Sequence, residues 1–124
     1  EHIITQIEEA YPNKLFEQLN ALKHMPEVWF SGNNGYASML VTYLQGKGYR
    51  VPEDIGVMSF DDTDITQIVT PKLTVIATSL AAMADTAWRR LKQRMNPDAP
   101  SQQLYIRLMP EIIERDSITT SHHS

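Results

Sequence analysis

Short apolar segments alternate with helical patterns along this chain, and this alternation restricts the fold more than any other feature of the sequence. Residues 28–30, 55–60 and 73–76 are apolar runs bounded by turn residues, which is typical of buried strands. Between and after these runs, apolar side chains recur at helical spacing over 36–44 and 79–96. Strands that alternate with helices of about a dozen residues predict βαβ units on a parallel sheet, hence an α/β fold.

The two ends of the chain carry further predictions. The β-branched residues at 2–7 predict a strand, and Asn13 is placed to cap the helix that follows. Near the other end, two short strands are predicted at 104–109 and 112–115, followed by a disordered tail over 118–124. The chain begins without a methionine, so we expect that a preceding part of the protein is missing.

Composition narrows the class of protein. The 124 residues are 42% hydrophobic and 21% charged, as in a soluble globular domain. The net charge of −4 argues against a nucleic-acid-binding surface on this part of the protein. No cysteine is present, so disulfides and thiolate metal sites are excluded. No apolar run is long enough to span a membrane and no signal peptide is evident, so we expect a cytoplasmic protein.

Polar side chains follow two of the predicted strands. Asn33 lies just beyond the strand at 28–30, and Asp61 and Asp62 lie at the end of the strand at 55–60. Parallel sheets bind ligands beyond the carboxyl ends of their strands, so an amide and a carboxylate there can bind a polyhydroxylated molecule. Successive strand residues point to opposite faces, so the two aspartates need not share one role. Alternatively, either aspartate merely caps the connection around 64–68.

One ordered set of short motifs runs through most of residues 26–117. It consists of Pro26, Asn33-Asn34, Gly48, Val51-Pro52, Asp54-Ile55, Val57, Phe60-Asp61-Asp62, Pro71-Lys72-Leu73-Thr74 and the closing PEIIERDS that includes Arg115 and Ser117. In this order and spacing, the motifs closely resemble the effector-binding region of LacI/GalR-family transcriptional repressors.

The resemblance implies a type I periplasmic-binding-protein-like fold, with two lobes, a ligand between them and three crossover segments as a hinge. Residues 1–117 would then be the carboxyl lobe plus the crossover segments. A fragment of this kind lacks the DNA-binding helix-turn-helix and most of the amino lobe. The predicted helix at 79–96 would normally pack in that absent lobe.

The resemblance also implies roles for individual residues. Asn33 corresponds to the amide that hydrogen-bonds the effector, and Asp61 to the carboxylate that accepts from ligand hydroxyls or ring nitrogens. Thr78 occupies the crossover position that often reaches the ligand, although its hydroxyl can instead cap a helix. Tyr11 lies where an aromatic ring often stacks on a sugar, or it is an ordinary half-buried tyrosine.

The resemblance also implies a dimer, formed partly through two segments that correspond here to 38–44 and 65–69. The predicted interface residues are Met39, Ile65, Ile68 and Val69. An exposed apolar cluster in a surface connection usually marks a partner site. Alternatively, these side chains pack back onto their own sheet. Two residues depart from the family pattern: Asn34 replaces the usual aspartate, and Met39 replaces the usual glycine.

An enzyme is the rival class of protein. Asp61 and Asp62 could hold Mg²⁺ or act as an acid–base pair, but neighbouring strand residues diverge and no third carboxylate or phosphate-binding loop is evident. The four histidines also lack metal-site spacing. We therefore expect no catalytic residues, no metal and no cofactor.

The predicted function is effector sensing, with a sugar as the effector and a nucleoside-like molecule as the other ligand class. Ligand binding between the lobes would alter the operator affinity of a homodimeric repressor that contacts DNA only through the absent domain. A sugar-binding protein of an extracytoplasmic transport system shares the fold and remains the alternative. The Val-Pro-x-Asp-Ile and Asp-Asp motifs favour the repressor.

Overall fold

A computed structural model describes residues 12–100 and 102–119, and within them a four-stranded sheet is accompanied by helices. In chain order the elements are α1 (Pro12–Asn20), β1 (Val28–Ser31), α2 (Asn34–Gly46), β2 (Gly56–Phe60), α3 (Asp64–Ile68), β3 (Thr74–Ala77), α4 (Leu80–Met95) and β4 (Glu111–Ile113). The strand order is β1-β2-β3-β4. The first three strands are parallel, which confirms the α/β prediction, whereas β4 pairs antiparallel with β3.

The hydrophobic core lies where α2 packs on β1 and β2. The buried apolar residues of α2 are Ala37, Leu40, Val41 and Leu44. Their spacing places them in one stripe along the helix, because 3.6 residues complete a turn. Val57 on β2 and Val75 on β3 are also fully buried. Central parallel strands are covered on both faces, which explains why their sequences are apolar runs rather than alternating patterns.

Local sequence signals account for the ends of the longer helices. The side chain of Ser79 accepts a hydrogen bond from the backbone N–H of Ala82 at 3.2 Å, so it caps α4 as predicted. After α2, Gly48 has a φ of +89° and the Tyr49 N–H donates to the Leu44 carbonyl at 3.0 Å. Glycine reaches this left-handed conformation without a Cβ clash, so the helix ends there.

The predicted strand at 104–109 does not form. Residues 102–110 carry no helix or strand, and Tyr105 and Met109 are 87% and 77% exposed. A strand needs a neighbour for its backbone hydrogen bonds, and the described residues supply none here. The strand predicted at 112–115 is observed as β4, which ends before Arg115.

One prediction for the first helix is wrong, and most of those for the two chain ends lie outside the described residues. Helix α1 begins at Pro12, so Asn13 lies inside it rather than ahead of it as a cap. The predicted strand at 2–7 and Tyr11 lie outside the described residues. So does most of the tail, from residue 120 onward.

Helix α4 stands away from the sheet. None of its residues is buried, and Leu80, Trp88 and Met95 are 70%, 55% and 71% exposed. Its apolar stripe therefore has no cover among the described residues. In that part of the chain, no helix combines the length and the apolar character needed to cross a membrane.

Candidate ligand-binding rim

Three of the predicted site residues follow the carboxyl ends of the parallel strands. Asn33 comes after β1, Asp61 directly after β2, and Thr78 directly after β3. The strands are in register, with Ser31 opposite Ser59 and Phe60 opposite Ile76, so these residues lie along one edge of the sheet. We call this edge, defined by Asn33, Asp61 and Thr78, the rim. Its location is the usual ligand site of an open parallel sheet.

Asp61 combines a constrained backbone with an exposed side chain. Its φ is +67°, and its N–H donates to the Ile76 carbonyl at 2.9 Å, which ties the end of β2 to β3. A left-handed conformation costs an L-residue roughly 1–2 kcal/mol, although aspartate tolerates it better than most. The carboxylate is exposed and makes no hydrogen bond to the other described residues. A strained backbone that exposes a carboxylate without a hydrogen-bond partner among the described residues indicates a functional site.

Asp62 has a different role from its neighbour. Its carboxylate accepts a hydrogen bond from the Thr66 hydroxyl at 2.6 Å and another from the Arg115 guanidinium at 2.7 Å. The side chains of Arg115 and Asp62 are 15% and 23% exposed, so the ion pair is largely shielded from water. The two aspartates thus diverge: Asp62 holds the connection that contains α3, which was the alternative interpretation, whereas Asp61 faces solvent.

The part played by Arg115 could not be deduced from the sequence. Besides Asp62, its guanidinium donates to the Thr66 hydroxyl at 3.2 Å and to the Leu73 carbonyl at 3.0 Å. These three acceptors lie at the start, middle and end of the crossover between β2 and β3. Arg115 is 53 residues from Asp62 in the chain, so no local spacing signals the pair.

The neighbouring residues Asn33 and Asn34 also have different roles. The Oδ1 of Asn33 accepts from the Tyr36 N–H at 3.2 Å and caps α2, so its amide N–H₂ is the group left for a ligand. Asn34 is buried, donates from Nδ2 to the Thr63 hydroxyl at 3.0 Å, and accepts from the Ser59 hydroxyl. An aspartate at position 34 could accept from the Thr63 hydroxyl but could not donate to it, so the direction of this hydrogen bond depends on the asparagine.

The predicted dimer residues differ in exposure. Ile68 is 76% exposed and Ile65 is 38% exposed, both on α3. Met39 is half-buried on α2. Val69 is also half-buried and packs against the core, as the alternative interpretation had it for this segment. The exposed apolar surface is therefore centred on Ile68.

The rim offers hydrogen-bonding groups of several kinds. Asn33 supplies amide donors, Asp61 a charged acceptor, and the half-buried Thr78 a hydroxyl. Such a set suits a polar ligand with several hydroxyl or ring N–H groups. Among residues 12–100 and 102–119, no group of three or more His, Cys, Asp and Glu side chains is arranged to hold a metal ion.

Neighbouring arginines lower the pKa values of two carboxyls. The hydrogen bond from Arg115 lowers the pKa of Asp62. Hydrogen bonds from Arg50 lower the pKa of the exposed Asp54 from 3.8 to about 2. Each lowered pKa means that the folded state holds the charged carboxylate more favourably than the unfolded chain does.

We therefore expect the free energy of unfolding to decrease as the pH falls below about 4, where the aspartates of the unfolded chain take up protons. A carboxylate with a depressed pKa stabilises the fold above its unfolded pKa, and this contribution disappears as the pH passes through the folded value. Urea unfolding followed by circular dichroism at several pH values measures the effect. Asp62→Asn removes the carboxylate of the Arg115–Asp62 pair, so the stability of this variant should depend less on pH than that of the wild type. A variant with the same pH dependence as the wild type would show that this pair does not contribute.

The family model described as a periplasmic binding protein-like domain matches residues 3–118. The NTD biosynthesis operon regulator NtdR of Bacillus subtilis is 29% identical over 104 residues, which are 84% of this chain and 32% of that protein. The HTH-type transcriptional repressor PurR of Vibrio atlanticus is 29% identical over 104 residues, which are 84% of this chain and 31% of that protein.

Solved structures show the same fold. An uncharacterized protein from Actinobacillus succinogenes has a TM-score of 0.78 at 22% identity and covers 87% of this chain and 40% of its own. The transcription regulator CcpA of Lactococcus lactis has a TM-score of 0.68 at 26% identity, covering 87% and 37%. A LacI family transcriptional regulator from Lactobacillus casei with bound sucrose has a TM-score of 0.68 at 24% identity, covering 86% and 39%. The chain thus spans about a third of the length of the curated relatives named above.

Proposed function

This chain belongs to the periplasmic binding protein-like domain family, and from that membership we propose that it is the effector-sensing part of a LacI-family transcriptional repressor. The similar curated proteins are a regulator and a repressor, and this chain spans about a third of their length. We propose that DNA is contacted by a different part of a longer, cytoplasmic protein. Effector binding against the rim would change the operator affinity of that part.

The observation that carries the proposal is the Asp61 carboxylate, which is exposed at the end of β2 on a constrained backbone. Together with the Asn33 amide, it can donate to and accept from one polar molecule. A sugar is the ligand class we propose first, because a sucrose-bound regulator shares this fold. A nucleoside-like molecule uses the same groups through its ring nitrogens and ribose hydroxyls. We propose binding without turnover, because the rim has no activated nucleophile and the similar curated proteins are regulators.

Thermal unfolding of the intact protein that carries this chain tests the proposal. The probes are sucrose, cellobiose, glucose, galactose, ribose and adenosine. A bound probe at about 100 times its Kd stabilises the folded state by about 2.7 kcal/mol, which raises the unfolding temperature. The same protein is then mixed with DNA from upstream of its own gene, with and without that probe.

We expect one probe to stabilise the protein and to change its affinity for that DNA. Stabilisation by a sugar without any DNA binding would instead favour the transport-protein alternative. No stabilisation by any probe, together with no DNA binding, would contradict the proposed function. Conversion of a bound probe to product, lost on mutation of Asp61, would contradict the absence of catalysis.

A further inference from the structure

We propose that Arg115 is a positioning residue for the Asp61 carboxylate and that it acts through Asp62. The inference rests on the proposed role of Asp61 in effector binding. The guanidinium of Arg115 makes hydrogen bonds to Asp62, Thr66 and Leu73 but none to Asp61. It holds Asp62, the next residue in the chain, whose carboxylate it meets at 2.7 Å.

The backbone of Asp61 is held from both sides. On the strand side, Phe60 pairs with β3 and the Asp61 N–H donates to the Ile76 carbonyl. On the other side, the Asp62 carboxylate is bound by Arg115 and by the Thr66 hydroxyl. A left-handed residue persists only where its surroundings prevent relaxation to negative φ. The clasp formed by Arg115, Asp62 and Thr66 is therefore one of the two restraints that keep Asp61 in its strained conformation.

Arg115 is itself anchored firmly enough to act as a restraint. Its own N–H donates to the Thr74 hydroxyl at 2.9 Å. Two residues later, the buried Ser117 hydroxyl donates to the Val57 carbonyl and accepts from the Thr74 N–H at 2.8 Å. The segment after β4 is thus tied to both β2 and β3. Any displacement of the guanidinium would disturb several hydrogen bonds at once.

Loss of the guanidinium would release the clasp. The Asp62 carboxylate is largely shielded, and a shielded charge without its partner is unfavourable, so it would move towards water. That movement rotates the peptide between Asp61 and Asp62. Asp61 can then relax to a negative φ, and its carboxylate moves away from the position in which it would bind the effector.

Amide hydrogen exchange on the intact protein tests the positioning without any ligand. Arg115→Met removes the guanidinium and keeps the length of the side chain. Arg50→Met is the matched control, because it breaks the exposed Arg50–Asp54 pair elsewhere. We expect Arg115→Met to speed exchange of the Asp61 amide at least about tenfold relative to the Val41 amide in the core, and Arg50→Met to leave that ratio unchanged. An unchanged ratio in Arg115→Met would overturn the proposal.

A second measurement separates positioning from general stability. The probe is whichever of sucrose, cellobiose, glucose, galactose, ribose and adenosine binds the wild type. We expect Arg115→Met to weaken its binding about tenfold, and Arg115→Lys, which keeps a cation beside Asp62, to recover part of the loss. In an Asp61→Ala background, Arg115→Met should cause no further loss, because it acts through Asp61.

Equal losses in both backgrounds would overturn the positioning role and show that Arg115 only supports the fold. If none of the six probes binds the wild type and the intact protein binds no DNA, the proposed function fails. The exchange measurement still decides the positioning of Asp61 in that case, so the two failures can be told apart.

Discussion

Asp61→Ala is expected to weaken effector binding roughly 10- to 150-fold in the intact protein, corresponding to the roughly 1.5–3 kcal/mol of a hydrogen bond to a charged group. The carboxylate is exposed at the rim and accepts no hydrogen bond from the other described residues, so both of its oxygens can accept hydrogen bonds from a ligand. Isothermal titration calorimetry with the probe identified by thermal unfolding measures the change. Unchanged affinity would show that Asp61 is not a ligand residue.

Two further variants separate the loss of the carboxylate from a loss of stability. Asp61→Gly also removes the carboxylate, so it should lose the same affinity as Asp61→Ala. It should nevertheless be more stable than Asp61→Ala by about 1 kcal/mol, because glycine adopts the φ of +67° without a Cβ clash. Glu53→Ala is the control, since this exposed carboxylate precedes β2 at the opposite end of the strand. It should leave the affinity unchanged.

The homodimer predicted from the family resemblance is expected to dissociate into folded monomers in the Ile68→Asp variant of the intact protein. Ile68 is 76% exposed on α3, next to Ile65, and a two-fold axis would set the same apolar surface against its copy. An uncompensated charge in a buried contact costs roughly 3–5 kcal/mol, and a symmetric dimer would bury two, so the dimer Kd should rise more than about 100-fold. Sedimentation velocity at several protein concentrations measures the change.

The control for this prediction is Ile112→Asp, which places the same charge on an exposed isoleucine of β4. We expect this variant to sediment like the wild type. An unchanged dimer in Ile68→Asp would exclude the α3 surface from the interface. Far-UV circular dichroism confirms that a monomeric variant is still folded, so that dissociation is not mistaken for unfolding.

Features that depend on neighbouring residues in the chain were predictable from the sequence. The apolar stripe of α2 and the Ser79 cap of α4 are local patterns, and both are observed. The apolar runs of β2 and β3 also predict buried strands, because central parallel strands are covered on both faces. The run at 28–30 forms a strand as predicted, but β1 lies at the sheet edge and is not buried: Val28 and Phe30 are 53% and 55% exposed. The placement of Asn33 and Asp61 at one edge followed from the parallel sheet.

Features that depend on distant partners were decided only by the tertiary structure. Residues 104–109 have a strand-like sequence but no neighbouring strand among the described residues, so they stay irregular. The antiparallel pairing of β4 with β3 is also set by tertiary structure, since no local pattern encodes the direction of a strand. Asp61 and Asp62 are identical in type, yet only Asp62 meets Arg115, 53 residues away. Sequence spacing specifies which side chains follow a strand, whereas the packing of distant segments decides which of them is paired and which remains exposed to a ligand.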